Sequence, residues 1–282
     1  MEINTVANIV LLSLVAGMGT GLGGLIAVLR RPGKRSFGFL MGITAGVMIT
    51  LSFLELVNEA WELQGWITAT IGFGAGAFFM FLIDILIPHV RFGESESAGF
   101  GRLKRRNPVP TWRLGHFGRH RHQHAYLESN INDRRLYNTG ILIAIGITIH
   151  NLPEGIAVGA GYMHTPEFGF FIALAILLHN IPEGIATALP LCESGLSRWD
   201  SFIYAFLSGL AEPIGAFVAA LFLSGFQFFI PAALAFAGGV MVFITLDELI
   251  PTARLHGHQH YTAMGIILGA IFVFILSGLL GV

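Results

Sequence analysis

Two nine-residue stretches hold the side chains most able to do chemistry. The first is Ile149-His150-Asn151-Leu152-Pro153-Glu154-Gly155-Ile156-Ala157; the second, 29 residues further on, is Leu178-His179-Asn180-Ile181-Pro182-Glu183-Gly184-Ile185-Ala186. Each lies inside a long apolar run. On a helix, residues three and four apart share a face. His150 and Asn151 therefore lie one turn from Glu154, and His179 and Asn180 one turn from Glu183. Pro153 and Pro182 have no N–H to give the carbonyls of Ile149 and Leu178, so the spacing predicts a kink and a bare carbonyl beside each His. Imidazole, carboxylate, amide and carbonyl facing one spot make a divalent-cation site. One such helix alone reads better as a packing histidine bonded to a glutamate. Two matching copies on consecutive segments favour the metal.

The elements that must position these residues are membrane helices. The chain of 282 residues is 54% apolar and 12% charged, and apolar runs long enough to cross a bilayer recur. Eight spanning segments are predicted, at 6–29, 36–58, 66–90, 138–162, 167–191, 199–224, 229–251 and 261–281. The expected fold class is an all-α polytopic membrane protein, one transporter domain over 1–282, with a His- and Arg-rich loop at 91–137. With that segmentation all 16 Lys and Arg fall on one side. They are Arg30, Arg31, Lys34 and Arg35, ten residues in the 91–137 loop, Arg198 and Arg254. Glu2, Glu59, Glu62 and Glu167 lie on the other side. The positive-inside rule then makes the long loop cytoplasmic and puts both termini outside, periplasmic or extracellular, in a multi-pass cell-membrane protein. No cleavable signal peptide is expected. The single cysteine, Cys192, excludes an internal disulfide and a thiolate cage.

The acids complement this pattern. Glu55, Asp84, Glu154, Glu183, Glu212, Asp247 and Glu248 fall inside the predicted segments, and no Lys or Arg does. A carboxylate at mid-membrane costs about 2.5–3.5 kcal/mol even on a lenient insertion scale. Uncompensated, these acids call for a cation, a proton or a water-filled path. The two motif copies lie on neighbouring segments of opposite direction. A second echo links Gly46-Val47-Met48 with Gly239-Val240-Met241 and Glu55-Leu56 with Glu248-Leu249, at the constant offset 248 − 55 = 193. Matching elements of opposed direction suggest an inverted repeat, a design of alternating-access carriers.

With these residues in hand, the sequence resembles the ZIP family of Zrt/Irt-like metal-ion transporters, in particular its bacterial zinc-uptake branch. The motifs that carry the resemblance are His150-Asn151-Leu152-Pro153-Glu154-Gly155, His179-Asn180-Ile181-Pro182-Glu183-Gly184 and Ser208-Gly209-Leu210-Ala211-Glu212-Pro213. The resemblance implies a two-metal centre. His150, Glu154, His179 and Glu183 would hold one ion. Asn151, Asn180 and Glu212 would hold the second, with Glu154 and Glu183 bridging. It also implies a homodimer and an elevator-like movement of the segments that carry the site. Direction makes Glu55 an expected entrance carboxylate, the alternative being an interfacial acid facing water. Direction also places Asp84, His89, Asp247 and Glu248 near the cytoplasm, where the resemblance implies that they are exit ligands, the alternative being pairing with cytoplasmic arginines. His256, His258 and His260 are expected to receive metal below Glu248. His116, His120, His122 and His124 form a loop tract that either binds zinc weakly or lies near anionic lipid heads. His164 falls in an outer loop and is expected to be exposed. The tryptophans Trp61, Trp66, Trp112 and Trp199 are expected to anchor at the interface.

The function expected from all this is import of a divalent transition metal. Zn²⁺ fits the donor set, as do Fe²⁺, Mn²⁺, Co²⁺ and Cd²⁺. No ATP and no nucleic acid is expected as a partner, since no P-loop pattern occurs. A channel-like metal conduit is the nearer rival. An intramembrane metalloenzyme is disfavoured because the His-Glu-x-x-His pattern is missing.

Overall fold

The computed structural model describes residues 3–86, 145–193 and 195–282. The predicted loop 91–137, His89, His116, His120, His122, His124 and Trp112 lie outside the described residues, as does the side chain of His256. Among the described residues all regular structure is helical. In chain order the elements are α1 (Ile3–Leu29), α2 (Lys34–Thr50), α3 (Asn58–Leu86), α4 (145–164), α5 (Pro166–Glu193), α6 (Arg198–Gly209) and α7 (Ala211–Gly225). They continue with α8 (Ile230–Ile244), α9 (Ile250–His256) and α10 (Gln259–Leu280). Several are long and apolar enough to cross a membrane, with mean hydropathy from 1.6 to 2.6.

Three predicted spans are subdivided, and each break has a local cause. Between α2 and α3 the chain makes a π-helical turn, Leu51–Val57. At Gly65 it takes φ 80°, a conformation open to glycine. Leu56 and Val57 meet Gly238, and Phe73 meets its neighbour Gly239. Those positions would be about 24 Å apart on one straight helix, so the chain reverses between them. At Leu210 (ψ −6°) α6 ends and α7 begins, with Glu212 in the first turn of α7. Pro213 is the sequence signal for that restart. A second π-helical turn, Thr245–Leu249, separates α8 from α9 and carries Asp247 and Glu248. Pro182 and Pro190 lie inside α5, which continues past both.

Glycines set how closely the helices meet. A Cβ on Gly155 would fall 1.9 Å from the Glu212 carbonyl oxygen, and one on Gly184 would fall 1.9 Å from that of Thr20. These are the glycines of the two motif copies, so each copy exists to seat its helix against another backbone, α4 on α7 and α5 on α1. A Cβ on Gly46 would meet the Ile266 carbonyl at 2.1 Å, and one on Gly239 the Phe73 carbonyl at 2.0 Å. Small residues at crossings are how apolar helices associate in lipid. The outward surface is made of large apolar side chains, among them Leu29, Ile71, Phe78, Leu86 and Leu279.

The most extensive contacts fall within two groups. One joins α1 to α5, α6 and α7, with α4 seated on α7. The other joins α2 to α10 and α3 to α8. The described basic residues Arg30, Arg31, Lys34, Arg35, Arg198 and Arg254 are all exposed. Trp61, Trp66 and Trp199 are more than half exposed.

Candidate metal centre between α4 and α5

His150, Asn151, Glu154, His179, Asn180, Glu183 and Glu212 are all buried, at most 5% exposed. One ligand atom each from Glu154, His179 and Glu183 lie within 4.8 Å of one another. His179 Nε2 stands 3.2 Å from Glu154 Oε1. Helical spacing puts Glu183 one turn beyond His179 on α5, and the meeting of α4 with α5 brings Glu154 to them.

The asparagines are held by backbone. Asn151 Nδ2 donates to the Ser208 carbonyl at 2.9 Å, and Asn180 Nδ2 donates to the Ala16 carbonyl at 3.1 Å. Asn180 Nδ2 also donates to Glu212 Oε1. Both amides thus turn their Oδ1 atoms inward. Those two atoms and one carboxylate oxygen each of Glu154, Glu183 and Glu212 are buried without a hydrogen-bond partner. Three carboxylates in such a setting are costly unless a cation or protons accompany them. Among the described residues no arginine or lysine does so, and all of them lie exposed. The donor set is imidazole, carboxylate and amide oxygen, which suits a divalent transition metal. The start of α7 favours the Glu212 carboxylate, as a helix N-terminus does any anion.

The remaining predicted residues spread along the molecule. Glu248 Oε2 lies 3.6 Å from His150 Nε2. The π-helical turn brings it there, and span boundaries alone did not reveal that. Asp247 is next to it. Glu55 is half-buried in the first π-helical turn, faces Ser277 and lies beside Glu59. Asp84 is half-buried in the last turn of α3. His258 and His260 are exposed, with ring centroids 5.4 Å apart. The carbonyl of His179 accepts the Thr44 hydroxyl of α2 at 3.1 Å.

His164 corrects an expectation. It is the last residue of α4 and is 26% exposed, and its Nε2 pairs with Glu59 Oε1 at 2.8 Å. An acid and a histidine so far apart in sequence gave no sign of meeting.

The family model described as ZIP Zinc transporter matches residues 112–277. The chain is 40% identical over 280 residues to Zinc transporter ZupT of Akkermansia muciniphila, covering 94% of this chain and 95% of that protein. It is 38% identical over 270 residues to Zinc transporter ZupT of Chlorobium limicola, covering 92% of each. It is 35% identical over 288 residues to Zinc transporter ZupT of Clostridium perfringens, covering 96% of this chain and 95% of that protein. A buried His, Glu and Asn centre between apolar helices, together with these matches over nearly the whole chain, leads to one assignment: the chain belongs to the ZIP zinc transporter family, and is a transporter and not an enzyme.

Proposed function

We propose that this protein carries Zn²⁺ into the cytoplasm through a two-ion centre at mid-membrane, by alternating access. The observation that carries the proposal is the convergence of Glu154, His179 and Glu183 within 4.8 Å, all buried, with no arginine or lysine beside them among the described residues. An incoming ion exchanges its waters for these ligands and for His150, which must be neutral to bind it. Asn151, Asn180 and Glu212 take the second ion, with Glu154 and Glu183 between the two. Glu248, beside His150, is the next acceptor on the way out. Fe²⁺, Mn²⁺, Co²⁺ and Cd²⁺ share the donor preferences and are further candidate cargo.

Eight spans with both termini outside is the arrangement we infer in the membrane. The registers of helix packing support it. Rising numbers pair in α1 with α5, in α2 with α10, in α3 with α8 and in α4 with α7, which are the pairs an alternating eight-span chain makes parallel. Matched contacts support the inverted repeat. Gly155 on Glu212 is repeated by Gly184 on Thr20, and 212 − 20 = 192. Gly46 on Ile266 is repeated by Gly239 on Phe73, and 239 − 46 = 266 − 73 = 193. The site lies wholly in the group of α1, α4, α5, α6 and α7, apart from Glu248. That division suits a carrier in which one group slides past the other. A homodimer in the cell membrane completes the proposal.

The test is zinc uptake into proteoliposomes with an internal dye. Saturable uptake by the wild type, lost in His179→Ala and Glu154→Ala at equal folded yield, is the expected result. Undiminished uptake by either variant would remove the paired-motif site. Uptake that never saturates would favour a conduit over a carrier.

A further inference from the structure

The matched contacts single out a residue that no motif contains. Gly17 of α1 and Gly209 of α6 meet reciprocally: a Cβ on either would lie 2.3 Å from the carbonyl oxygen of the other. About that crossing the surroundings repeat at the offset 209 − 17 = 192. Asn180 donates to the Ala16 carbonyl, and Asn151 donates to the Ser208 carbonyl, where 208 − 16 = 192. One turn further on stand Thr20 and Glu212, and 212 − 20 = 192. Their side chains occupy corresponding places. Glu212 Oε1 lies 3.3 Å from where a Gly17 Cβ would be, and Thr20 Cβ lies 3.2 Å from where a Gly209 Cβ would be.

The chemistry of the two places differs. Glu212 Oε1 accepts from Asn180. The counterpart of that contact would join Thr20 to Asn151. Instead Thr20 Oγ1 and Asn151 Oδ1 are both buried without a hydrogen-bond partner, each residue being 0% exposed. A threonine inside a helix usually gives its proton to the carbonyl four residues back. For Thr20 that is Ala16, whose oxygen Asn180 already engages. A hydroxyl left unpaired in a core costs stability and calls for an explanation.

We infer that Thr20 belongs to the transport site, as the neutral counterpart of Glu212, and that its hydroxyl offers an oxygen to the divalent cation, or to that ion's water, on the Asn151 side. Resting on the two-ion centre proposed above, this adds a fourth helix to the ligand shell. It also accounts for the shell's lopsided charge. One side of the crossing carries a carboxylate and the other a neutral oxygen, so the ion is held without the extra negative charge that would slow its release.

Zinc uptake by reconstituted wild type, Thr20→Val, Thr20→Ser and Glu212→Gln decides it. Valine keeps the shape and removes the hydroxyl, which no protein group uses, so a merely structural role predicts no change or a gain in stability. The expected result is a KM for zinc raised about three- to tenfold in Thr20→Val, the scale of one lost polar contact, with Vmax per folded molecule held within about twofold and KM rescued by Thr20→Ser. An unchanged KM in Thr20→Val, an equal rise in Thr20→Ser, or loss of folded protein in Thr20→Val would each overturn the inference. Glu212→Gln reports separately on the site itself: wild-type behaviour there would sink the two-ion centre, whatever Thr20 does.

Discussion

At the residue scale Glu248 is the most informative acid, because its position separates two roles. A carboxylate at the exit alone would influence the last step. One 3.6 Å from His150 would act on an ion held by His150. Unit charges about 4 Å apart at an effective dielectric of 20 interact by about 4 kcal/mol, an upper limit for what its charge contributes. Glu248→Gln should therefore lower zinc uptake at subsaturating zinc by about tenfold or more. A variant whose KM and Vmax both match the wild type would return Glu248 to the periphery. The sequence made the site's ligand types legible, since His, Asn and Glu at helical spacing in an apolar run leave few other uses. It left the contact of Glu248 with His150 unseen, because an extra backbone residue in a π-helical turn shifts a side chain without marking the composition. It also left Thr20 unseen: a threonine in a membrane helix is ordinary until its neighbours are known.

At the element scale the two motif glycines act through backbone contact, and their substitution tests the packing apart from the chemistry. Alanine at Gly184 would drive a methyl to 1.9 Å from the Thr20 carbonyl oxygen, with both residues buried. Neither is the free end of a flexible chain, so α1 and α5 must separate. Such overpacking costs about 1–3 kcal/mol or more. Gly184→Ala should cut the yield of folded protein severely, and Gly155→Ala should do the same while also moving Glu212. Gly74 and Gly278 meet nothing within 4 Å, and alanine there should leave thermal stability in detergent unchanged or slightly raised. Comparable losses at all four positions would show that helix propensity, and not the crossings, sets stability. The spans themselves were visible as apolar runs. The breaks at Leu210 and at Thr245–Leu249 were not, because Pro213 and Pro251 are compatible with both a kinked and an interrupted helix, and the Leu51–Val57 turn has no proline to mark it.

At the scale of the whole molecule, polar contacts tie the two helix groups together at the seam where they meet. Thr44 reaches the His179 carbonyl and Glu248 reaches His150 near the centre. At the end away from the described arginines, His164 of α4 pairs with Glu59 of α3. Glu55 lies beside Glu59, and Phe168 of α5 stands edge-on to His164. That the described arginines and Lys34 stay out of the buried core was readable from the sequence. This pair was not, because it joins residues of separate segments 164 − 59 = 105 apart. If one group slides past the other in each cycle, the pair breaks and reforms. A partly exposed ion pair contributes about 0.2–1 kcal/mol, which limits its effect on rate to about fivefold. Glu59→Gln and His164→Asn should each raise the maximal uptake rate within that limit and leave the KM for zinc unchanged. The double variant should gain no more than the better single one, because either change already removes the tie. Additive gains would mean that the two residues act independently. A fall in rate in all three variants would mean that the pair holds the outer end in the form that accepts zinc, and that its loss, not its breaking, limits transport.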